Sequence, residues 1–210
     1  MWRKNQVSDV NILIAFYSRT GSTEALAKAI AEGAREAGAE VRLRRARDLV
    51  GAEIMKKAPG WLENSARMDR DYEAPTEADA EWADGLIFGT PTRFGLVSSE
   101  LKAYIDTFGG LWFQGKLNGK AGSAFTSTST THGGNEITIQ SLYTPMAHLG
   151  MIIVPTGYAD PVLFRAGTPY GASSVSGQTA VPPTADEIEV AKFQGKRVAQ
   201  VARALKTLRA

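Results

Sequence analysis

The sequence contains no cysteine and only two histidines, His132 and His148. The lack of cysteine excludes disulfides, thiol nucleophiles, iron–sulfur clusters and thiolate zinc sites. Two histidines are too few for an all-histidine metal centre. Carboxylate sites for magnesium or calcium remain open, and we assign no metal ligand from the sequence.

Long apolar runs are also missing. No segment approaches the roughly 20 apolar residues that a membrane-spanning helix needs. The N-terminal stretch MWRKNQVSDV lacks the apolar core of a secretory signal. We therefore expect a cytoplasmic protein without a membrane association. The formal net charge of +2 is too small to predict nucleic-acid binding.

What the chain does contain is a regular alternation of apolar strands and helices. At 210 residues, 43% of them apolar and 22% charged, it has the composition of a single globular domain spanning residues 1–210. Strands are predicted at residues 11–17, 39–46, 83–90, 119–126 and 151–155. Helices are predicted at residues 22–38, 98–110, 135–150 and 184–205. This alternation predicts an α/β fold with a doubly wound five-stranded parallel sheet, of order 2-1-3-4-5, and helices on both faces.

Two segments do not follow the alternation. Residues 48–75 are polar and irregular, and residues 158–183 are rich in glycine, serine and proline. Loops of this length are uncommon unless they serve a function. We therefore expect the second segment to take part in a substrate pocket or in contacts between subunits.

The loop SRTGST, residues 18–23, joins the first predicted strand to the first predicted helix. Such a junction directs unpaired N–H groups and the positive end of the helix at one point, which favours an anion. Four hydroxyl side chains surround Gly21, namely Ser18, Thr20, Ser22 and Thr23. An ordinary helix cap is the alternative interpretation, but four hydroxyls in six residues exceed what a cap needs. The loop predicts a phosphate site.

The absence of two other phosphate-binding motifs indicates which kind of phosphate ligand the loop binds. The loop lacks the lysine of G-x-x-x-x-G-K-[ST], so a triphosphate is not expected. It also lacks the G-x-G-x-x-G spacing that binds a dinucleotide pyrophosphate. A terminal phosphomonoester held mostly by neutral donors remains.

Two further loops belong to the same predicted site. GTPTRFG, residues 89–95, follows the third strand, and TSTSTTHGG, residues 126–134, follows the fourth. In a sheet of order 2-1-3-4-5 these loops meet the first loop beside the point where the strand order reverses. Each loop alone is typical of a solvated turn. Together they predict a cradle for a phosphate, a ribityl chain and a flat ring.

These motifs carry a family resemblance. SRTGSTEALA is similar to the phosphate loop of flavodoxin-like proteins, in which hydroxyl–x–Thr–Gly–x–Thr binds FMN. IFGTPTRFG, DTFGGLW, AHLGMIIVP and GTPYGAS resemble the NAD(P)H:quinone oxidoreductases first described as tryptophan-repressor-binding proteins. The resemblance runs from Asn11 to Leu205. It implies a flavodoxin-like fold, FMN as cofactor, NAD(P)H as electron donor, a quinone as acceptor, and a homo-oligomer, expected to be a tetramer.

The resemblance also implies roles for individual residues. It implies that Trp112 and Phe94 line the substrate pocket, while family members often carry tyrosine where Thr20 stands, a tyrosine that helps to contact the nicotinamide nucleotide. No residue is assigned as a catalytic acid or base, because hydride passes directly from nicotinamide to flavin. The implied FMN contacts are Ser18, Arg19, Thr20, Gly21, Ser22, Thr23, Pro91, Thr92, Arg93, Phe94, Gly95, Ser127, Thr128, Ser129, Thr130, Thr131, His132, Gly133 and His148.

Several alternatives stay open at this point. On physical grounds alone Trp112 fits a packing role, and His148 fits a charge at a helix C-terminus. The basic cluster Arg42, Arg44, Arg45 and Arg47 suits either protection of an edge strand or a clamp for a 2′-phosphate or an acidic partner.

The function has alternatives as well. A flavodoxin-type one-electron carrier is usually acidic, which an isoelectric point of about 8.8 disfavours. The other alternative is a non-enzymatic regulatory partner of a transcription repressor, and the sequence shows no helix-turn-helix signal in support of it.

Overall fold

Three of the predicted strand segments form strands that are buried on both faces. The structure is a computed structural model that describes residues 10–209. Its strands are β1 Val10–Phe16, β2 Ala39–Arg45, β3 Gly85–Pro91, β4 Ala121–Thr128, β5 Ile152–Ile153 and β6 Ser173–Val175. Its helices are α1 Ser22–Glu36, α2 Ala52–Met55, α3 Trp61–Asp71, α4 Glu77–Trp82, α5 Ser99–Asp106, α6 Gly109–Phe113, α7 Asn135–His148 and α8 Ala185–Arg209.

All strand pairs are parallel, and the sheet order is β2-β1-β3-β4-β5. The predicted order is therefore confirmed. Alternate residues of β1 face opposite sides, so that Ile14 joins the core under α1 and α8, while Leu13 joins the core under α5 and α7. Helices thus cover both faces of the sheet, as the alternation predicted.

The fifth strand differs from its prediction. Two short strands replace the expected strand over 151–155, and both pair with β4. Strand β5 lies beside Ala121 and Gly122, and β6 lies beside the other end of β4, from Thr126 to Thr128. The chain leaves the sheet between them and then returns to it.

The segment between β5 and β6 contributes to the core. Val162, Leu163 and Ala172 are buried against α8 and the sheet, a core role that the sequence analysis did not predict for residues 158–183. A 3₁₀ turn, Pro161–Phe164, places the first two of these side chains. This role was not predictable because the pairing of β6 with β4 stabilises the segment, whereas its own sequence has no apolar periodicity.

Residues 48–75 contain α2 and α3, so the expectation of an irregular segment was wrong here too. Helix α3 starts after Gly60, whose φ of 74° suits glycine. It buries only Ser65 and Met68, and its other residues are half-buried or exposed. Its apolar face is too narrow to give a helical pattern in the sequence.

Helices α1 and α8 approach each other closely at two glycines. A Cβ atom on Gly33 would lie 1.9 Å from the carbonyl oxygen of Lys192, and one on Gly195 would lie 1.9 Å from that of Ile30. This contact fixes α1 and, with it, the loop that precedes α1.

None of the helices formed by residues 10–209 has the length and apolar character needed to cross a membrane.

Candidate functional site

The loops that follow β1, β3 and β4 meet at one edge of the sheet. The hydroxyls of Thr23 and Ser127 are 2.8 Å apart, and the N–H of Thr92 donates to the carbonyl oxygen of Ser127 at 2.9 Å. These contacts join the first and second loops to the third. The convergence that the sequence predicted is present.

A crevice of about 200 Å³ lies between these loops. Among residues 10–209, its lining contains seven hydroxyl side chains, two arginines and no carboxylate. This chemistry suits an anionic ligand. The residues that line the crevice are Arg19, Thr20, Thr23, Ala58, Pro59, Pro91, Thr92, Arg93, Ser127, Thr128, Ser129 and Ser176.

The first loop ends in a helix start that has free donors. Helix α1 follows Gly21, whose φ is 104°, and within residues 10–209 no side chain caps it. The Ser18 hydroxyl accepts from the N–H of Gly21 at 3.1 Å, which closes the loop into a turn. The buried hydroxyl of Ser22 has no hydrogen-bond partner in the described part of the chain. A Cβ atom on Gly21 would meet nothing within 4 Å. An uncapped helix start beside open space, with a buried hydroxyl that lacks a partner, fits a phosphate group.

The second loop is a tight hairpin turn. Arg93 and Leu96 exchange backbone hydrogen bonds of 2.9 and 3.1 Å, and both central residues, Phe94 and Gly95, have positive φ. Phe94 has a φ of 55° and is fully exposed. A bulky residue in this conformation is strained, which marks the turn as a feature to explain by function.

The Thr92 side chain holds this turn in place. Its hydroxyl accepts from the N–H of Gly95 at 3.1 Å and lies 2.8 Å from the hydroxyl of Thr138 on α7. The hairpin is thereby fixed to α7 rather than free in solvent.

The third loop reaches the crevice with only part of its length. Ser127, Thr128 and Ser129 line the crevice, whereas residues 130–133 do not. Ser176, which sequence analysis did not select, completes the wall by bonding to the carbonyl oxygen of Thr128 through its N–H at 2.8 Å. Ala58 and Pro59 were missed as well, because no motif marks residues 48–75.

Trp112 and His148 lie elsewhere. They share a groove of about 530 Å³ between α5, α6 and α7, which is mostly apolar. Neither residue lines the crevice, so a single copy of the chain does not bring them to the three loops. The groove is lined by Val97, Lys102, Ile105, Asp106, Phe108, Gly109, Trp112, Ser141, Thr144, Pro145, His148 and Leu149.

Each arginine of the basic cluster on β2 and just after it is paired with an acidic side chain. Arg42 and Arg44 bond to Asp79, and Arg47 bonds to Asp69. Arg45 is fully buried and bonds to Asp69 and Asp48. These ion pairs favour the structural interpretation of the cluster over a phosphate clamp.

Asp48 is the buried acid of this network. Burial acts to raise the pKa of its carboxyl, but hydrogen bonds from Tyr17, Arg45, Ser65 and Trp61 outweigh burial and lower it. Burial and the bond to Asp48 raise the pKa of Tyr17, so the phenol stays protonated and donates.

Solved structures with the same fold include flavin proteins. A WrbA-like flavodoxin from Agrobacterium tumefaciens matches with a TM-score of 0.65 and 25% identity, covering 93% of this chain and 99% of that one. Flavodoxin 2 from Bacillus cereus matches with a TM-score of 0.57 and 18% identity, over 91% of this chain and 99% of that one. The second likeness supports the fold alone.

Sequence relatives are closer. A protein of Archaeoglobus fulgidus named NAD(P)H dehydrogenase (quinone) is 45% identical over 194 residues, which is 92% of this chain and 98% of the relative. One of the same name from Methylocella silvestris is 43% identical over 201 residues, or 93% of this chain and 98% of the relative. The family model described as NADPH-dependent FMN reductase matches residues 9–161. The chain therefore belongs to the NADPH-dependent FMN reductase family.

Proposed function

We propose that this protein is an FMN-dependent oxidoreductase that transfers two electrons from NAD(P)H to a quinone. The observation that carries the proposal is the crevice, in which hydroxyls, two arginines and the start of α1 converge without any carboxylate. The names of the sequence relatives, NAD(P)H dehydrogenase (quinone), support the same activity.

FMN is favoured over FAD because the first loop suits a terminal phosphate. In this proposal residues 18–23 hold the phosphate, residues 91–95 contact the edge of the flavin ring, and Ser127, Thr128 and Ser129 complete the bed. When bound, FMN supplies a redox group that takes hydride from NAD(P)H and passes two electrons to the quinone. The side chains bind and orient the ring, and the exposed Phe94 offers an apolar wall to a flat substrate.

We further propose that the protein self-associates as a homotetramer and that a second copy supplies Trp112 to the substrate pocket. Trp112 is 57% exposed and Phe113 is 85% exposed, next to an apolar groove. Large exposed apolar patches of this kind are typical of interfaces. Light scattering of the purified protein tests this: a strictly monomeric mass together with full quinone reduction would contradict it.

The test of the main proposal is a titration of the flavin-free protein with FMN and with FAD, followed by flavin fluorescence. We expect a visible flavin spectrum with FMN and an affinity for FAD that is at least about tenfold lower, since the first loop suits a terminal phosphate and not the pyrophosphate of FAD. Equal affinities for the two flavins would count against the phosphate assignment.

Steady-state kinetics then tests the reaction itself. If NAD(P)H and the quinone use the same exposed face of the flavin in turn, double-reciprocal plots with both substrates varied give parallel lines. Each substrate then inhibits competitively when in excess. Intersecting lines would contradict a single shared slot.

A further inference from the structure

The two arginines that line the crevice differ from the arginines nearby. Arg42, Arg44, Arg45, Arg47 and Arg67 each form an ion pair with an acidic side chain. Within the described residues, neither Arg19 nor Arg93 does so. Both guanidinium groups are therefore available to pair with an anionic ligand in the crevice.

Arg19 has one well-defined neighbour, and it is aromatic. The guanidinium carbon lies 3.8 Å from the centre of the Trp61 ring. A guanidinium that stacks on a ring uses its flat face, which leaves its N–H edges available to an anion. The Trp61 ring therefore holds the Arg19 guanidinium in the phosphate loop and leaves its N–H groups free to donate to a ligand.

Trp61 is itself held in a fixed orientation. Its indole N–H donates to a carboxylate oxygen of Asp48 at 2.7 Å. The side chain of Asp48 is 2% exposed, and three other groups donate to it. Those donors are the Tyr17 hydroxyl at 2.7 Å, the Ser65 hydroxyl at 2.7 Å and the Arg45 guanidinium at 2.5 Å.

The same network reaches the phosphate loop from a second direction. The guanidinium of Arg45, which donates to Asp48, also lies 3.4 Å from the carbonyl oxygen of Ser18. Ala58 and Pro59, just before α3, line the crevice beside Arg19. Residues 45–65 thus build one wall of the site and orient the loop and its arginine together.

We propose that Arg19 is a charged phosphate ligand that Trp61 and Asp48 hold in position, and that it makes the site select phosphorylated flavin over riboflavin. This inference rests on the proposed function and adds to the neutral hydroxyl and N–H donors of the loop SRTGST a charged donor, the guanidinium of its second residue. A guanidinium gives a phosphate charge-assisted hydrogen bonds that riboflavin cannot accept.

The first test replaces the charge. We expect Arg19→Gln to raise the dissociation constant of FMN by about 10- to 100-fold, while that of riboflavin changes less than about twofold. Flavin fluorescence quenching measures both. Arg70→Gln, an exposed arginine of α3, removes the same charge away from the crevice and should change neither constant.

The second test addresses the positioning role of Trp61. Trp61→Leu removes the ring face and should weaken FMN binding by about 3- to 10-fold, again without an effect on riboflavin. In the Arg19→Gln background the same change should have no further effect on FMN, because Trp61 acts through Arg19. Trp61→Phe keeps a ring face and should restore part of the affinity.

The outcomes separate the two proposals. If the unmodified protein binds neither FMN nor riboflavin, the proposed function fails. If it binds FMN and Arg19→Gln leaves the FMN constant unchanged, or weakens FMN and riboflavin equally, the role of Arg19 fails alone. Thermal melting of each flavin-free variant identifies loss of folding. In that case Arg19→Lys, which keeps the charge, must retain a preference for FMN over riboflavin, and loss of this preference overturns the inference.

Discussion

The crevice and the groove are two recesses of the same molecule with opposite chemistry. The crevice measures about 200 Å³ and is lined by hydroxyls, arginines and the start of a helix. The groove measures about 530 Å³ and is lined mainly by apolar side chains from three helices. The larger recess also contains polar side chains, but Lys102 is paired with Asp106, and the Ser141 hydroxyl donates to the carbonyl oxygen of Thr138. Donor chemistry and position at the strand ends, and not size, therefore identify the cofactor site.

Their positions explain the difference. Strand ends present backbone N–H groups and loop side chains, which can turn toward a ligand. The faces of α5, α6 and α7 present side chains whose backbone groups are already used within the helices. A helix face therefore offers apolar contact and little else. We interpret the crevice as the FMN site and the groove as the proposed contact surface for a second copy of the chain.

The largest effect on FMN binding is expected from Gly21→Val in the loop that borders the crevice. A φ of 104° is strongly unfavourable for a β-branched residue, and the new side chain would fill the open space before α1. We expect the dissociation constant of FMN to rise by roughly 100-fold or more, as measured by fluorescence titration.

Gly157→Val is the matched control for that change. Gly157 also has a positive φ, 60°, and open space around a Cβ atom, yet it lines neither recess. It should lower the melting temperature and leave FMN affinity unchanged. Equal losses of affinity in the two variants would mean that backbone strain, and not occupation of the crevice, is responsible.

A smaller effect, on stability, is expected at Glu24 in the first turn of α1. Burial acts to raise the pKa of this carboxyl, but hydrogen bonds from Arg67, Lys28 and Tyr72 outweigh burial and lower it to about 2. Because the folded pKa lies below the unfolded one, the charged form contributes stability above about pH 4.5. That contribution is lost as the pH falls toward 2.

Glu24→Gln should therefore reduce the free energy of unfolding by about 2–3 kcal/mol at pH 7. The difference from the unmodified protein should shrink steadily below about pH 4.5. Urea unfolding at a series of pH values measures it. Glu32→Gln removes an acid from the exposed side of the same helix and should cost less than about 1 kcal/mol. A difference for Glu24→Gln that does not vary with pH would show that its charge is not the stabilising feature.

Sequence patterns were sufficient where local signals and the core agree. Strands β1 and β3 are largely apolar, β4 is a buried run of mostly small residues, and SRTGST lies directly at a strand end, so the sheet order and the three-loop crevice were predictable. Strand β6 and helix α3 were not, because long-range pairing with β4 and ion pairs such as Arg67 with Glu24 hold them in place. Such contacts leave no periodicity in the local sequence.

The same limit applies to individual site residues. The contact between Arg19 and Trp61 joins residues from separate segments, and no spacing rule connects them. The resemblance grouped Trp112 and His148 with the flavin loops, whereas the single chain places both in the groove. A family pattern lists site residues without giving their positions in the fold.

An intermediate effect is expected where the hairpin 93–96 is fixed to the core. Thr92→Val keeps the shape of the side chain but removes the oxygen that accepts from the N–H of Gly95. The strained conformation of Phe94 then loses a support, so we expect FMN affinity to fall by about 3- to 10-fold. Thr92→Ser keeps the hydroxyl and should behave like the unmodified protein. Equal FMN affinities of the serine and valine variants would show that the Thr92 hydroxyl does not support FMN binding.

The smallest effect on FMN affinity is expected from Trp112→Ala, and it tests the comparison most directly. Because Trp112 lies in the groove and not in the crevice, its removal should change the dissociation constant of FMN by less than about twofold. If a second copy of the chain completes the substrate pocket with this ring, the same variant should reduce quinone turnover and lower the mass of the assembly in light scattering. Leu208→Ala, an exposed apolar residue of α8 outside both recesses, is the control and should affect neither quantity. A loss of FMN affinity of tenfold or more in Trp112→Ala would mean that the groove and the crevice act as one cofactor site, since only direct contact with the flavin or with its bed could transmit so large an effect.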